Sequence, residues 1–425
     1  MRLLLTGDIH IGRSSTCTAD IAEARTLAAS AAWDRIVELA LEADVDVLCL
    51  SGDVADQENK FWEAIGPIEH GVQRLSEAGI LTVAVSGNHD YDVLRRVADQ
   101  VPKEAFCLLG RGGLWERTTI ERGGRSLHVD GWSFPREKVA TSPLSTYDLD
   151  DDPSTPTLGL IHGDLDVAGS SYAPLDTYQL RSLPVDGWLL GHIHAPRLMP
   201  EKPWILYPGS PQALDFGEPG LHGVWMVDVD HALAVPEQRS LSATRYEALT
   251  IDVSEAEAEA DVESLILNQI RASSEAHVEE SGAHLEYLAL RLTITGRTPL
   301  SHRIADITST LRDDLSLRIG GVLVVVDRLS VATLPDIDIN AYAKARSAPG
   351  AVARLLLALE HDEGAGDGPG EIAELVGRTK RELEANEDHK YFAALTRREI
   401  TDEMARQHLM LEARALLTAL VAQTS

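Results

Sequence analysis

Five short segments of this chain concentrate side chains that bind divalent metals: Gly7-Asp8-Ile9-His10, Gly52-Asp53-Val54-Ala55-Asp56, Gly87-Asn88-His89-Asp90, Ile161-His162-Gly163-Asp164 and Gly191-His192-Ile193-His194. Carboxylate, imidazole and amide-oxygen donors in this mixture suit manganese, iron or zinc. Two such ions acting on a phosphate ester need a carboxylate between them, neutral imidazoles and amide oxygens around them, and open positions for water and substrate. Asp8, His10, Asp53, Asn88, His162, His192 and His194 supply that set, and Asp53 is the candidate bridge between two metals. One D-x-H or H-x-H alone carries little weight, because a lone histidine more often serves a core or a surface. Five such segments in order point to a dinuclear site.

These residues need elements to aim them. Strand-length apolar runs precede the segments: Leu3–Thr6, the run that opens Val45–Asp56, Leu81–Ser86, Leu158–Ile161 and Trp188–Leu190. A strand that stays apolar to its end reads as a central strand of an α/β sheet, where ligands sit outside the carboxyl ends. Between them, Thr26–Ala43 and Glu58–Ala78 have helical apolar spacing, and Pro67 is expected to kink the second helix. Its stripe of Phe61, Trp62, Ile65, Ile68, Val72 and Leu75 reads as core packing, with a homodimer contact as the alternative. Asp148–Pro156 is a polar loop, and from Trp204 proline and glycine punctuate two more strands. A small α/β cap follows, with strands Ala248–Val253, Tyr287–Thr295 and Gly321–Val326 and helical stretches Glu255–Ala272 and Pro299–Leu315. Beyond Pro335 the chain is helical, broken by a flexible linker at Gly364–Gly370, with helices at Glu371–Asn386 and Tyr391–Ala422. The domains expected are 1–240, 245–334 and 335–425.

With 425 residues and a hydrophobic fraction of 44%, two or three domains with ample core are expected. Cys17, Cys49 and Cys107 lie too far apart for a CxxC pair and read as reduced thiols. The opening MRLLLTGD is too short for a signal peptide, and no apolar run approaches membrane-spanning length, so a cytoplasmic, membrane-free protein is expected. A net charge of −29 stands against a nucleic-acid partner, which normally calls for a basic footprint. The excess is uneven: Ile251–Leu290 holds ten acids against the single Arg271. A local basic path near the site remains open through Arg95 and Arg96, the candidate substrate contacts, and through Arg111, Arg117, Arg122 and Arg125.

The ordered set GDIH, GDVAD, GNHD, IHGD and GHIH resembles the calcineurin-like metallophosphoesterase superfamily over the first 240 residues or so. The resemblance implies a β-sandwich core flanked by helices. It implies that Asp8, His10, Asp53 and His194 hold one divalent ion and that Asp53, Asn88, His162 and His192 hold the other, most readily manganese. It leaves His89 unbound and facing the phosphate, where it assists departure of the leaving oxygen, with Asp90 placed to orient its ring. An imidazole titrating near working pH suits that task.

The runs GHIHAP and YPGSPQALDFGE, with the cap and the helical C-terminus, resemble the SbcD-type DNA-repair exonuclease subunit. Archaeal and eukaryotic relatives carry a second catalytic histidine three residues after the bridging aspartate, whereas here that position is Asp56, an anchor or a substrate contact. His70, His128, His222 and His231 read as structural, with His222 the candidate exception. The implied function is a manganese-dependent DNA exonuclease or endonuclease in DNA repair, a possible homodimer that works with an SbcC-like coiled-coil ATPase. The segment after Pro335, with Met404, Leu411 and Leu416 on its last helix, is the expected docking piece. The rivals are a phosphoesterase for a small nucleotide or phosphoprotein, and a non-catalytic metal-binding adaptor of the ATPase. Asp53→Asn trades the bridging charge for a neutral amide, so metal analysis is expected to find both sites depleted and turnover lost. Two metals per chain with full turnover would contradict the bridge.

Overall fold

The computed structural model describes residues 1–14, 27–57, 63–311, 316–361, 369–387 and 400–422. The chain begins β1 (Arg2–Thr6), α1 (Ala29–Glu42), β2 (Val47–Leu50), α2 (Ile65–Glu77), β3 (Leu81–Ala84), α3 (Val93–Gln100) and β4 (Phe106–Leu108). It continues through β5 (Glu116–Arg122), β6 (Arg125–Trp132), β7 (Thr157–His162), α4 (Thr177–Ser182), β8 (Gly187–Gly191), β9 (Arg197–Met199), β10 (Trp204–Tyr207), β11 (Gly223–Asp228) and β12 (Glu237–Ser240). Then come β13 (Thr244–Asp252), α5 (Glu259–Ser281), β14 (Tyr287–Thr295), β15 (Arg297–Thr298), α6 (Ile304–Leu311), β16 (Ser316–Ile319), β17 (Val322–Val331) and β18 (Leu334–Pro335). The helices α7 (Ile339–Ala343), α8 (Ala348–His361), α9 (Pro369–Glu387) and α10 (Asp402–Ala422) end it.

Two six-stranded sheets, ordered β12-β11-β1-β2-β3-β4 and β5-β6-β7-β8-β10-β9, form the sandwich. Strand alternation explains why the central strands are apolar throughout. Leu3, Leu5, Val47, Cys49 and Val83 enter the layer between the sheets, against Leu127, Val129, Leu158, Leu160, Leu189 and Leu206. Leu4, Leu48, Leu50 and Ala84 face the other way, onto Trp33 and Ile36 of α1 and Ile68 and Val72 of α2. Beyond the second sheet, Ile161, Trp188, Leu190 and Ile205 pack on Trp115, Phe134 and Leu180. Because β1, β2 and β3 are parallel, as are β7 and β8, each sheet delivers its carboxyl ends along one edge.

Pro67 lies near the start of α2, and its carbonyl accepts from Trp33 Nε1 at 2.9 Å; residues 58–62 of the expected helix lie outside the described residues. Ile68, Val72 and Leu75 of the expected stripe are core, while Phe61 and Trp62 lie outside the described residues. Cys49 and Cys107 are buried free thiols, the first pushed up to about 12 by burial; Cys17 lies outside the described residues.

A four-stranded sheet, β13-β14-β17-β16, follows. Its edge strand β16 was not expected from the sequence, where SLRI is short and reads as neither strand nor helix. It pairs with β17 across Gly320 and Gly321, whose φ values of 57° and 92° suit a two-residue hairpin turn.

The chain divides into two compact units: Met1–Leu249 with Ile270–Leu292 and Asp314–Arg328, and Thr250–Gln269 with Thr293–Asp313 and Leu329–Ser425. In the second, Ala413 and Leu417 of α10 pack on Ala353 and Leu356 of α8, and Ala405 packs on Leu359 and Val376. Leu411 on the opposite side is 68% exposed. Of the linker expected at Gly364–Gly370, Pro369 and Gly370 open α9 and the rest lies outside the described residues, as do 391–399 of the last helix. No helix among the described residues is long and apolar enough to cross a membrane.

Leu160→Ala in the layer between the sheets is expected to cost about 2–5 kcal/mol of stability. Denaturant unfolding followed by tryptophan fluorescence checks this, and a loss below about 1 kcal/mol would contradict the packing described.

Candidate active site

The strand ends turn sharply into the site. Asp8, His10, Asp53 and His192 have positive φ values of 50°, 53°, 49° and 104°. That conformation costs a residue with a Cβ on the order of 1–3 kcal/mol and persists only where surroundings enforce it. Here they do: the Asp8 and His10 amides donate to the Gly52 and Asp53 carbonyls at 3.0 Å, and the His192 amide donates to both Asp8 carboxylate oxygens at 3.0 and 3.1 Å. Two glycines permit the close approach. A Cβ on Gly87 would lie 2.2 Å from Asp53 Oδ1, and one on Gly191 would lie 2.1 Å from the Ser51 carbonyl oxygen.

The side chains converge in three groups whose ligand atoms lie within 4.8 Å of one another: Asp8, His10 and His194; Asp53, His162 and His192; and His10, Asp56 and His89. Asp53 reaches the first two, with Oδ2 at 3.3 Å from His162 Nε2 and 4.0 Å from His10 Nε2. Asn88 Oδ1 lies 3.1 Å from His162 Nε2. His10 Nε2 and His194 Nε2 face each other at 3.1 Å, a pairing of two imidazole nitrogens that a shared cation satisfies.

The far nitrogens are each held by an acceptor. His162 Nδ1 donates to the Ser51 carbonyl at 3.0 Å, His194 Nδ1 meets Glu218 Oε1 at 2.5 Å, His192 Nε2 faces Asp164 Oδ1 at 3.3 Å, and His10 Nδ1 faces Asp56 Oδ1 at 3.3 Å. Metal-binding histidines are normally oriented in this way, which fixes the tautomer and aims the other nitrogen. The donor set therefore fits divalent cations.

Charge balance agrees. Asp53 is 2% exposed, and burial alone would favour its neutral acid. The imidazoles of His162, His10 and His89 outweigh that and hold its carboxyl well below the usual range. Burial would lower His162, but Asp53 and Asp8 raise it to about 9. The carboxylates thus recruit positive charge into the centre, the demand that a divalent cation meets.

Asp90 does not orient His89. Its carboxylate accepts from the Gly87 amide at 2.8 Å and the Val54 amide at 2.7 Å, tying the segment of Asn88 to that of Asp53. Burial and the nearby Asp53 charge push its pKa up to about 7 against those amides. The acid that faces the His89 ring is Asp56, with Oδ1 at 3.8 Å from His89 Nδ1. Sequence position misled here, because the neighbouring residue in a tight turn points away.

Of the arginines expected to form a basic path, Arg111 pairs with Asp99, Arg117 with buried Asp130 and Arg125 with Asp230, while Arg122 donates to the Gly79 carbonyl. Arg95 and Arg96, the candidate substrate contacts, are exposed on α3. His128 is engaged by Thr119 and Asp152, and buried His222 by Ser210. Ser51, Asp164 and Glu218 were missed as site residues. Asp164 stands two residues after His162 and was legible as a carboxylate, whereas Ser51 acts through its backbone and leaves no side-chain signal.

Gly87→Ala is expected to push Asp53 aside and lower metal content at both positions while circular dichroism stays native. Wild-type metal binding in this variant would contradict the close approach.

Residues 1–196 match the family model for calcineurin-like phosphoesterases, and residues 246–334 match that for the middle domain of the metallophosphoesterase YhaO. The Bacillus subtilis (strain 168) metallophosphoesterase YhaO, itself described as uncharacterized, is 26% identical over 226 residues, covering 52% of this chain and 54% of that protein. The DNA double-strand break repair protein Mre11 of Haloferax volcanii is 25% identical over 264 residues, covering 59% of this chain and 55% of that one. The chain thus spans about half the length of the curated relatives it matches. Among solved structures, a dimetal phosphatase from Danio rerio is 10% identical with a TM-score of 0.35, covering 53% of this chain and 92% of that one. Over residues 1–196 this chain is thus similar to the calcineurin-like phosphoesterases, a likeness that indicates a metal-dependent hydrolase.

Proposed function

We propose that this chain is a dinuclear-metal phosphodiesterase that cuts DNA, as exonuclease or endonuclease, in DNA repair. The observation that carries the reading is the convergence of two donor groups on Asp53, each imidazole backed by its own acceptor. DNA as substrate is favoured by the similarity to the Haloferax Mre11, named for double-strand break repair. Asp8, His10 and His194 would hold one ion and Asn88, His162 and His192 the other, with Asp53 between. Manganese is the proposed metal, and the same donors accept iron or zinc. Bound divalent ions supply Lewis-acid polarisation of the phosphoryl oxygens and a nucleophile at neutral pH.

The chain's own residues do the rest. His89 is anchored by its backbone amide, which donates to Asp53 Oδ1 at 2.8 Å, and its side chain is 32% exposed and reachable by substrate. Burial lowers its pKa, while the Asp53 and Asp56 carboxylates pull the other way. Asp56 Oδ1 lies 3.8 Å from Nδ1, beyond hydrogen-bond length, and in the proposed reaction the His89 ring passes a proton to the departing sugar oxygen. We also propose an SbcC-like coiled-coil ATPase as partner, self-association into a homodimer, the three-domain division 1–240, 245–334 and 335–425, and work in the cytoplasm. The exposed Met404 and Leu411 of α10 offer the ATPase an apolar contact.

A second reading, a phosphoesterase for small nucleotides or phosphoproteins, is favoured by the net charge of −29 and by the arginines already spent on acids. Linear duplex DNA and a small phosphodiester, each with and without manganese, separate the two. Metal-dependent cleavage of both is expected, and cleavage of the small ester alone would favour the second reading. His89→Ala is expected to keep both metals and lose roughly a hundred- to ten-thousand-fold in rate. Metal content falling in step with rate would make His89 a ligand instead.

A further inference from the structure

Two of the acceptors behind the histidines, Asp56 and Asp164, belong to the five segments that form the centre, and a third, Ser51, immediately precedes one of them. The fourth, Glu218, comes from elsewhere. It lies between β10 and β11, in a proline- and glycine-rich loop that supplies none of the ligand groups, and it is 7% exposed. Its two oxygens divide their work: Oε1 takes His194 Nδ1 at 2.5 Å, while Oε2 accepts from Ser210 Oγ at 3.0 Å and the Leu214 amide at 2.9 Å. The same loop is tied to β13, because Gln212 Nε2 donates to Thr244 Oγ1 at 2.6 Å and Tyr246 Oη to the Leu214 carbonyl at 3.2 Å.

We propose that Glu218 is a positioning residue of the metal centre, which fixes the tautomer and aim of His194 and makes the 210–218 loop part of the site that His194 serves. This rests on the reading of the centre as dinuclear. An imidazole whose Nδ1–H is held by a buried carboxylate presents its Nε2 lone pair in one direction and binds more strongly. A ring without that partner can turn, or can place its proton on the nitrogen that faces the metal. His10 Nε2, 3.1 Å away, keeps the matching direction through Asp56, so the two rings converge only if both far nitrogens are held. The effect is local to one of the two ions, since His162, His192 and Asn88 make no contact with Glu218.

The test is a manganese titration of the full-length, chelator-stripped protein, read as metal stoichiometry and affinity with no substrate present. Wild type is expected to bind two ions. Glu218→Ala is expected to keep one and bind the other about 10- to 100-fold more weakly. Glu218→Gln, whose amide oxygen still accepts from Nδ1–H, is expected to fall in between; it decides the matter should Glu218→Ala fail to fold. Ser210→Ala removes a loop bond and spares the His194 contact, so it is expected to retain both ions. Wild-type affinities in Glu218→Gln, or equal metal loss in Ser210→Ala and Glu218→Ala, would overturn the proposal, the latter because Glu218 would then act only through the loop. A wild-type chain that binds no manganese would overturn the metal-centre reading and this inference with it. DNA takes no part, so failure of the nuclease reading leaves the result intact.

Discussion

A carboxylate buried where two sheets converge governs this architecture. Asp53 sits beyond the end of β2, almost inaccessible to water, and burying an unpaired carboxylate is costly enough that the group would normally neutralise. The fold keeps it charged by bringing histidines from the first and second sheets to it, His10 from beyond β1 and His162 from the end of β7. Strained backbone at Asp8, His10, Asp53 and His192 follows from the same demand, because the turns after three strands, β1, β2 and β8, must fit around one point. The apolar layers between and outside the sheets supply the rigidity that holds those turns.

Much of this was legible in the sequence because ligand chemistry and strand chemistry are both local signals. Apolar runs ending in Gly-Asp, Gly-Asn or Gly-His announce a strand that delivers a donor, and the structure places those residues together. What local reading missed depends on three-dimensional neighbours. Asp90 stands next to His89 in the chain yet turns inward to backbone amides, while Asp56, from another strand end, faces the ring. Glu218 lies in a run whose family likeness was visible, but its link to His194 spans 24 residues and two strands.

The charge of the chain bears on what it acts upon. Of the arginines that cluster in sequence between 111 and 125, Arg117, Arg122 and Arg125 lie on β5 and β6, and Arg111, Arg117 and Arg125 are paired with acids, most firmly where Arg117 meets both oxygens of buried Asp130 and Tyr147 closes the group. They brace a sheet edge and the loop that crosses it. A polyanionic substrate must therefore be attracted mainly by cations in the centre itself, or by positive charge from a partner, and either route makes binding steeply salt-dependent.

All of these arguments meet at the bridging role proposed for Asp53. Anomalous diffraction at the manganese edge, from crystals of the loaded chain, measures it directly. The account expects two peaks about 3.5–4 Å apart, one beside Asp8, His10 and His194 and the other beside Asn88, His162 and His192, with Asp53 in contact with both. One peak alone, or two peaks of which Asp53 touches only one, would contradict it.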